Sequence, residues 1–225
     1  MNDKVVAVTG GFGALGRAVV KALGESGVRA VAIDIAESGP NDGAALEIGG
    51  VDGADPAAAE AAMARILEKF GRLDGLVNIA GGFRWETLRD GDVATWDSLY
   101  RINVRTAVAM SKAAAPHLPR PGGAIVNVGA AATSKAGAGM GAYTAAKSGV
   151  ARLTEALAEE LKDDGIRVNA VLPSIIDTQA NRTDMPEAEF DRWVRPEALA
   201  KVVAFLLSDD AAAVTGALIP VTGRV

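Results

Sequence analysis

One stretch of the chain decides its fold: Val5-Val6-Ala7-Val8-Thr9-Gly10-Gly11-Phe12-Gly13-Ala14-Leu15-Gly16. Residues 5–8 are a short β-branched run, which is typical of a buried parallel strand. Glycines follow at once, and residues 14–25 have the apolar spacing of an amphipathic helix that ends near Gly27. A strand, a glycine-rich turn and a helix in this order favour a pyrophosphate site, because glycines let the backbone approach closely and free amides at the helix start attract negative charge.

The same alternation of apolar runs and amphipathic segments continues along the chain. Further strands are predicted at 30–33, 45–48, 76–79, 124–128, 167–172 and 217–221, and helices at 56–70, 92–115, 141–163 and 196–207. This alternation predicts an α/β fold with a single domain over residues 1–225: a doubly wound, seven-stranded parallel sheet of the Rossmann type with helices on both faces. Residues 174–195 have no clean period and indicate a loop or lid over the site.

Composition excludes several functional classes. The formal net charge is −5 and no Lys/Arg-rich run occurs, so neither nucleic acid nor an anionic membrane is an expected partner. There is no cysteine, and His117 is the single histidine, which argues against thiol catalysis, disulfides and a metal centre built on Cys or His. No apolar run approaches ~20 residues and Met1–Lys4 does not begin a signal peptide, so we expect a cytoplasmic protein.

Asp34 ends the second predicted strand and bears on the choice of dinucleotide. A carboxylate at this position can accept hydrogen bonds from both adenosine ribose hydroxyls and would repel a 2′-phosphate. The alternative is that Asp34 only caps the strand. Arg17, near the turn, would attract a phosphate or simply face solvent. The expected cofactor is therefore NAD(H), with NADP(H) as the alternative.

A second motif, Gly141-Ala142-Tyr143-Thr144-Ala145-Ala146-Lys147, has the residues of acid–base chemistry. Positions i and i+4 share a helix face about 5–6 Å apart. A lysine ammonium there is expected to stabilise the tyrosinate and to lower the pKa of Tyr143 from ~10. Tyr143 would then give or take a proton near neutral pH, and Lys147 would also bind the nicotinamide ribose. The alternative is an ordinary helix with one buried aromatic residue and one exposed lysine.

Taken together, the motifs resemble the short-chain dehydrogenase/reductase family over essentially the whole chain. The matching segments are, in order, Thr9–Gly16, Asp52, Asn78-Ile79-Ala80-Gly81, Asn103, Tyr143–Lys147 and Pro173–Thr178. The resemblance implies an NAD(P)-dependent oxidoreductase that acts on a small molecule and forms a homodimer or homotetramer through the helices at 92–115 and 141–163.

The resemblance also implies roles for individual residues. Asp52 would contact adenine, the Ile176 backbone and the Thr178 hydroxyl would hold the nicotinamide carboxamide, and Asn103 would join Tyr143 and Lys147 through a water relay. The whole set of implied cofactor contacts is Gly10, Phe12, Gly13, Ala14, Leu15, Gly16, Asp34, Ile35, Asp52, Asn78, Ala80, Gly81, Tyr143, Lys147, Pro173, Ile176 and Thr178.

Three positions depart from the family pattern: Ala14 and Ile79 replace a glycine and an asparagine, and Ala130 stands where a catalytic serine is usual, thirteen residues before Tyr143. These departures make the chain most similar to the quinonoid dihydropteridine reductase branch. That branch is also matched by the Gly-Gly-aromatic segment ending at Phe83 and by the segment from Ile176 to Trp193. The resemblance implies hydride transfer between nicotinamide and a small carbonyl or alcohol, or a conjugated quinonoid or imine substrate.

Ala130 has three alternative consequences. Thr133 or Ser134 supplies the missing hydroxyl, or the substrate is electron-poor and needs less polarisation, or the protein binds NAD as a redox-sensing module without turnover. Loss of one oxyanion donor costs on the order of 100-fold in turnover. We rank the electron-poor substrate first, because the dihydropteridine reductase-like match accompanies it.

Scarce aromatic residues flank the expected site. We expect Phe83, Trp85, Met140 and Trp193 to form a flat apolar slot over the nicotinamide, next to Ala130. Core or oligomer contacts are the alternative for Trp85 and Trp193. Asn181 and Arg182 would either touch polar substrate groups or solvate the loop.

Overall fold

A computed structural model describes residues 3–40 and 43–225 of the chain. Met1 and Asn2, where no signal peptide is expected, and residues 41–42 lie outside the described residues. The strands are β1 (Val5–Thr9), β2 (Arg29–Ile33), β3 (Leu46–Ile48), β4 (Gly75–Asn78), β5 (Ala124–Val128), β6 (Arg167–Pro173) and β7 (Leu218–Val221). The α-helices are α1 (Ala14–Glu25), α2 (Pro56–Phe70), α3 (Val93–Tyr100), α4 (Thr106–Ala114), α5 (Gly141–Leu161), α6 (Gln179–Asp184) and α7 (Pro196–Leu207).

The strands described by the structure form one sheet in the order β3-β2-β1-β4-β5-β6-β7, and every pair is parallel. The order reverses between β1 and β4, so the chain winds outward from this point in both directions. The carboxyl ends of β1 and β4 therefore flank the crevice where ligands bind in open parallel sheets. The expected doubly wound, seven-stranded Rossmann fold is confirmed for the described residues.

Each face of the sheet has its own core. Helices α1 and α7 cover one face through residues such as Val19 and Val203. Helices α2, α4 and α5 cover the other, where Met63 and Met110 are fully buried. Alanines are frequent in both layers, which lets the helices lie close to the sheet. Fully burying one aliphatic side chain contributes roughly 1.5–3 kcal/mol, so these two layers hold the strand ends of the crevice in place.

Local signals in the sequence fix the ends of α2. The Asp55 side chain accepts a hydrogen bond from the Ala57 amide at 3.0 Å, and Pro56 occupies the first turn. Gly71 ends the helix in the left-handed conformation at φ 69°. The expected helix over residues 56–70 is confirmed at both ends.

Two segments differ from the sequence expectation. The single helix expected over 92–115 is interrupted by a π-helical turn, Arg101–Arg105, between α3 and α4. Residues 174–195, expected as a loop, contain the short helix α6 and a 3₁₀ turn at Phe190–Arg192. Sequence periodicity cannot register either feature, because both are shorter than the window that reveals it. Among residues 3–40 and 43–225, no helix combines the length and apolar character needed to cross a membrane.

Candidate active site

The glycine-rich turn leaves a cradle at the start of α1. Gly10 has φ 65°, and a Cβ on Gly16 would collide with the Gly10 carbonyl oxygen, so both positions need glycine. Gly13 is the N-cap of α1 and makes no side-chain cap bond. The first-turn amides of α1 are therefore left to a ligand, and a diphosphate fits this arrangement.

The Asp34 side chain binds backbone amides at the end of β2, which is the capping role that the sequence left as an alternative. Its carboxylate accepts hydrogen bonds from the Phe12 amide at 3.0 Å and the Ala36 amide at 3.1 Å. It thereby ties the glycine-rich turn to the end of β2. The same carboxylate lines the cavity beside the turn, and its remaining lone pairs can accept ribose hydroxyls.

A cavity of about 440 Å³ extends from the turn across the ends of β1, β2 and β4, and we call it the cofactor-side cavity. It brings together most of the residues expected to bind cofactor, namely Gly10, Gly13, Ala14, Leu15, Gly16, Asp34, Ile35, Asp52, Ala80, Gly81 and Thr178. Sequence reasoning missed Thr9 and Arg101, which also line it.

Arg101 affects Asp52 directly. The Arg101 guanidinium donates a hydrogen bond to the Asp52 carboxylate, and this bond lowers the pKa of that carboxyl below its ordinary value. The second Asp52 oxygen accepts from the Ala54 amide at 3.0 Å. The adenine contact expected of Asp52 would have to form beside this ion pair. No sequence signal pairs two residues so distant in the chain.

Two expected cofactor residues are placed elsewhere. Phe12 does not line the cavity, and its ring packs on Gly39, where a Cβ would collide with it. Asn78 is buried, and its amide donates to Ser111 at 3.0 Å and to Asn127 at 2.9 Å. These placements correct the expected direct contacts of both side chains, because each is held by protein neighbours. The Thr9 hydroxyl accepts from the Ile79 and Ala80 amides, both at 3.1 Å, and fixes the same strand end.

Tyr143 and Lys147 lie in the first two turns of α5. Lys147 is buried, and its Nζ donates to the Val128 carbonyl at 2.9 Å. Burial lowers the pKa of Lys147 to about 8 and raises the pKa of Tyr143 to about 12. The expectation that the lysine lowers the pKa of Tyr143 is therefore wrong, because burial of the phenol raises it. Desolvation of the phenolate dominates, since the ammonium is directed at Val128.

Asn103 occupies the π-helical turn and is almost fully buried. Its amide nitrogen donates to the Gly82 carbonyl at 3.0 Å and to the Leu99 carbonyl at 2.9 Å, and its oxygen accepts from the Gly82 amide at 3.2 Å. These bonds hold the loop after β4 against the helix. A Cβ on Gly81 would collide with Asn103 and lie 3.4 Å from Lys147 Nζ, so all three residues converge there.

A second cavity, of about 1010 Å³, lies beside Tyr143, and we call it the substrate-side cavity. It shares Leu15, Ile79 and Gly81 with the cofactor-side cavity, so the two are contiguous. The expected site residues that line it are Phe83, Trp85, Ala130, Met140, Tyr143, Lys147, Pro173 and Ile176. No hydrogen bond holds the Tyr143 hydroxyl within the described part of the chain, so the phenol is available to a ligand.

The walls of this cavity are largely apolar. The Phe83 and Tyr143 rings meet edge to face with centroids 4.9 Å apart. The Trp85 indole nitrogen donates to the Ala138 carbonyl at 2.9 Å, so the indole offers a ligand mainly its face. Met185 also lines the cavity and was missed.

Trp193 does not line the substrate-side cavity, which corrects the expected fourth member of the slot. Its side chain is 6% exposed and packs against Phe190 with ring centroids 4.9 Å apart. The core contact that the sequence left as an alternative is the observed one. Burial of this large apolar side chain accounts for the placement.

The hydroxyl that Ala130 lacks is not replaced by its neighbours. Thr133 donates to the Ala130 carbonyl at 2.9 Å, and Ser134 donates to the Ala131 carbonyl at 3.0 Å. Neither lines the cavity. Ser174 lines it, but its hydroxyl donates to the Thr222 carbonyl at 2.7 Å. Tyr143 is therefore the hydroxyl in the described cavity wall that is free to donate to a ligand.

Comparisons with known proteins add independent findings. A family model described as Enoyl-(Acyl carrier protein) reductase matches residues 12–223. Meso-2,3-butanediol dehydrogenase from Serratia marcescens is 35% identical over 240 residues, covering 99% of this chain and 94% of that protein. Cis-4-hydroxycyclohexanecarboxylate dehydrogenase from Sinomonas cyclohexanicum is 35% identical over 238 residues, covering 98% of this chain and 96% of that protein.

A solved structure is similar to this chain in its fold. The 3-ketoacyl-(acyl-carrier-protein) reductase from Brucella melitensis, complexed with NADH, has a TM-score of 0.90 and 29% sequence identity. The match covers 99% of this chain and 98% of that chain. The similarity thus extends along both chains almost completely.

Proposed function

This chain belongs to the short-chain dehydrogenase/reductase family and is an oxidoreductase, and from that premise we propose that it reduces a small carbonyl or conjugated quinonoid or imine substrate with NADH. The same proposal covers the reverse oxidation of a small alcohol. One observation carries it: the Tyr143 hydroxyl has no protein partner among the described residues and faces a cavity contiguous with the glycine-rich turn.

The residues of the cofactor-side cavity fit a dinucleotide. The free amides at the start of α1 would hold the diphosphate, and Asp34 would accept the ribose hydroxyls. A 2′-phosphate beside the Asp34 carboxylate would be repelled, which supports NADH over NADPH. The similar Brucella melitensis reductase is complexed with NADH, which supports a nicotinamide dinucleotide as the ligand class.

The proton chemistry follows from Tyr143 and Lys147. A nicotinamide dinucleotide, when bound, would supply the hydride for the electrophilic carbon of the substrate. Tyr143 gives its proton to the substrate oxygen or nitrogen, so the product is an alcohol or amine and the residue becomes a tyrosinate. Burial raises the pKa of Tyr143 to about 12, so at neutral pH this residue holds the proton that a reduction consumes. Lys147, in its ammonium form, would stabilise the tyrosinate until solvent returns the proton.

A quinonoid or imine substrate, as in the dihydropteridine reductase-like branch, is favoured by a specific observation. No second hydroxyl of the described cavity wall is free to polarise a carbonyl, because Thr133, Ser134 and Ser174 all donate to backbone carbonyls. An electron-poor conjugated ring needs less polarisation. Phe83, Trp85 and Met140 would cover such a ring with apolar surface.

The test is NADH oxidation by wild-type protein with a quinonoid dihydropterin and with small ketones such as diacetyl. We expect turnover, fastest with the quinonoid, and a loss of ~10²–10⁴-fold in Tyr143→Phe with unchanged NADH affinity. Tyr100→Phe is the matched control, since the chain has two tyrosines and Tyr100 is 57% exposed away from the cavity. NADH binding without turnover on either class would instead support a redox-sensing module.

We also propose a homodimer or homotetramer in which the helices at 92–115 meet a second copy. Val93, Trp96 and Tyr100 of α3 expose apolar surface, with Val93 75% exposed. Contiguous apolar side chains on an exposed helix are typical of interfaces between protein chains. Light scattering on the purified protein measures the mass, and a monomer at micromolar concentration would contradict this assembly.

A further inference from the structure

The polar groups of the substrate-side cavity are divided between its two ends. The inner end has hydrogen-bond donors: the Tyr143 hydroxyl and the Lys147 ammonium, which keeps two N–H groups after its bond to Val128. These donors face the atom that reacts. The outer end is formed by α6 and the loop at Arg84, and it differs from the inner end because its α6 side presents hydrogen-bond acceptors.

The α6 side of the cavity presents acceptors. The Asn181 amide nitrogen donates to the Ile176 carbonyl at 2.7 Å, so this bond sets the orientation of the amide and leaves its oxygen for a ligand. Asp184, at the end of α6, also lines the cavity. Its carboxylate has no hydrogen bond or ion pair with any residue of 3–40 or 43–225.

Neighbouring cations do not neutralise Asp184. Arg84 lines the same cavity, but its guanidinium lies 3.5 Å from the Glu86 carboxylate, which offsets its charge. Arg182 is bound to Asp177 through two hydrogen bonds of 2.6 and 2.8 Å and lies over the Phe190 ring. Arg182 does not line the cavity, so of its two alternatives the structure favours the contact within the loop.

We propose that Asp184, with the Asn181 oxygen, selects substrates that carry an O–H, N–H or ammonium group remote from the reacting atom, and disfavours substrates with an anionic group there. This deepens the proposed function and rests on it, since the inner donors define the reacting end. The similar Sinomonas cyclohexanicum enzyme is named for a carboxylate substrate, and this cavity would have the opposite preference. Asp184 is exposed, so screening by solvent limits its effect on affinity to about several-fold.

The experiment uses three matched ketones: cyclohexanone with an ammonium, a hydroxyl or a carboxylate at position 4. For wild-type protein we expect kcat/KM to fall in that order, with about a tenfold ratio of ammonium to carboxylate substrate. Asp184→Asn should reduce this ratio several-fold, mostly through KM, and Glu187→Gln should leave it unchanged. Glu187 is the matched control because it is exposed nearby and does not line the cavity.

Failure of this proposal and failure of the proposed function give different results. If wild-type protein reduces the ketones but Asp184→Asn does not change their ratio, the role of Asp184 is overturned and the reductase stands. If no ketone is reduced, the proposed carbonyl chemistry fails for this class. Selectivity is then measured as dissociation constants from the tryptophan fluorescence of the protein, to which Trp85 in the cavity wall contributes together with Trp96 and Trp193. Equal affinities for the three compounds would overturn the proposal in that case as well.

Discussion

The two cavities are built by different means. The cofactor-side cavity is enclosed by strand ends and a helix start, and side chains tied to backbone amides hold it, as Asp34 holds Phe12 and Thr9 holds Ala80. The larger substrate-side cavity is enclosed on its outer side by loops. Phe83 and Trp85 are 56% and 60% exposed there. Backbone geometry therefore determines the shape of the cofactor-side cavity, whereas the identity of the side chains determines what the substrate-side cavity accepts.

The two cavities should therefore respond differently to substitutions. A Cβ on Gly16 collides with backbone, so a substitution there deforms the turn itself. Substitutions in the loop wall change what the cavity accepts without displacing a strand. Binding of the nucleotide should accordingly be robust to changes around Tyr143, and substrate preference should be robust to changes around Asp34. The following predictions test that separation.

Lys147→Met should have the largest effect, and it should act in opposite directions on activity and stability. Turnover should fall at least ~100-fold, because the ammonium that supports the tyrosinate is lost. The free energy of unfolding, measured in urea at pH 7, should rise by about 1–2 kcal/mol, because a buried charge is replaced by an apolar side chain of similar length. The Val128 carbonyl loses its hydrogen-bond donor in this variant, and this loss limits the gain in stability. Lys201→Met, at an exposed position of α7, is the control.

The stability gain of Lys147→Met should depend on pH. The pKa of Lys147 is about 8 in the folded protein, below its ordinary value of 10.5. The unfolded chain therefore binds more protons between these values, so wild-type stability rises with pH through that window. The advantage of the variant should be largest below pH 8 and shrink towards pH 10.5. A gap that stays constant with pH would show that the burial of charge is not its cause.

Two variants of Asp34 test the cofactor-side cavity. Asp34→Asn keeps an oxygen acceptor for the Phe12 amide but removes the charge, whereas Asp34→Ala removes both. Both should shift the kcat/KM ratio of NADPH to NADH upward, by on the order of tenfold, because the repulsion of a 2′-phosphate is lost. Only the alanine variant should also lose about 1 kcal/mol of stability. Equal NADPH use by all three proteins would contradict the role of Asp34 in selection.

The fold could be predicted from the sequence because its signals are local. The boundaries of α2 and α7 match the expected 56–70 and 196–207, and Pro56 and Gly71 act where the chain turns. The π-helical turn at Arg101–Arg105 could not be predicted, since its Asn103 bonds to a loop residue 21 positions earlier in the chain. Tertiary contacts of this kind override local preference without leaving a periodic pattern.

The candidate site could be predicted only in part. Positions set by motif spacing, such as Gly13, Tyr143 and Lys147, line the expected cavities. Aromatic identity alone misassigned Trp193, whose burial depends on Phe190. Asp184 in the cavity wall was missed because an exposed carboxylate looks like any solvated charge until the cavity around it is known. The pKa of Tyr143 was mispredicted, because sequence spacing conveys the neighbouring charge but not the desolvation.

Ala130→Ser should have the smallest effect and would refine the account of the substrate-side cavity. Ala130 is 4% exposed at the end of β5 and lines the cavity, so a serine there adds a hydroxyl on the side where a carbonyl would need polarising. We expect a rise of up to about tenfold in kcat for ketones and no rise for a quinonoid dihydropterin. Removal of an evolved oxyanion donor costs ~100-fold or more, and an added one should recover only part of this, since the cavity is not shaped around it.

The selectivity between the two substrate classes is what makes this variant informative. Ala132→Ser is the control, because Ala132 lines the same wall two residues further on. If Ala130→Ser accelerates both classes equally, then polarisation limits both and the absent hydroxyl does not indicate an electron-poor substrate. If it accelerates ketones alone, then the substrate-side cavity is selective because it lacks a second hydrogen-bond donor.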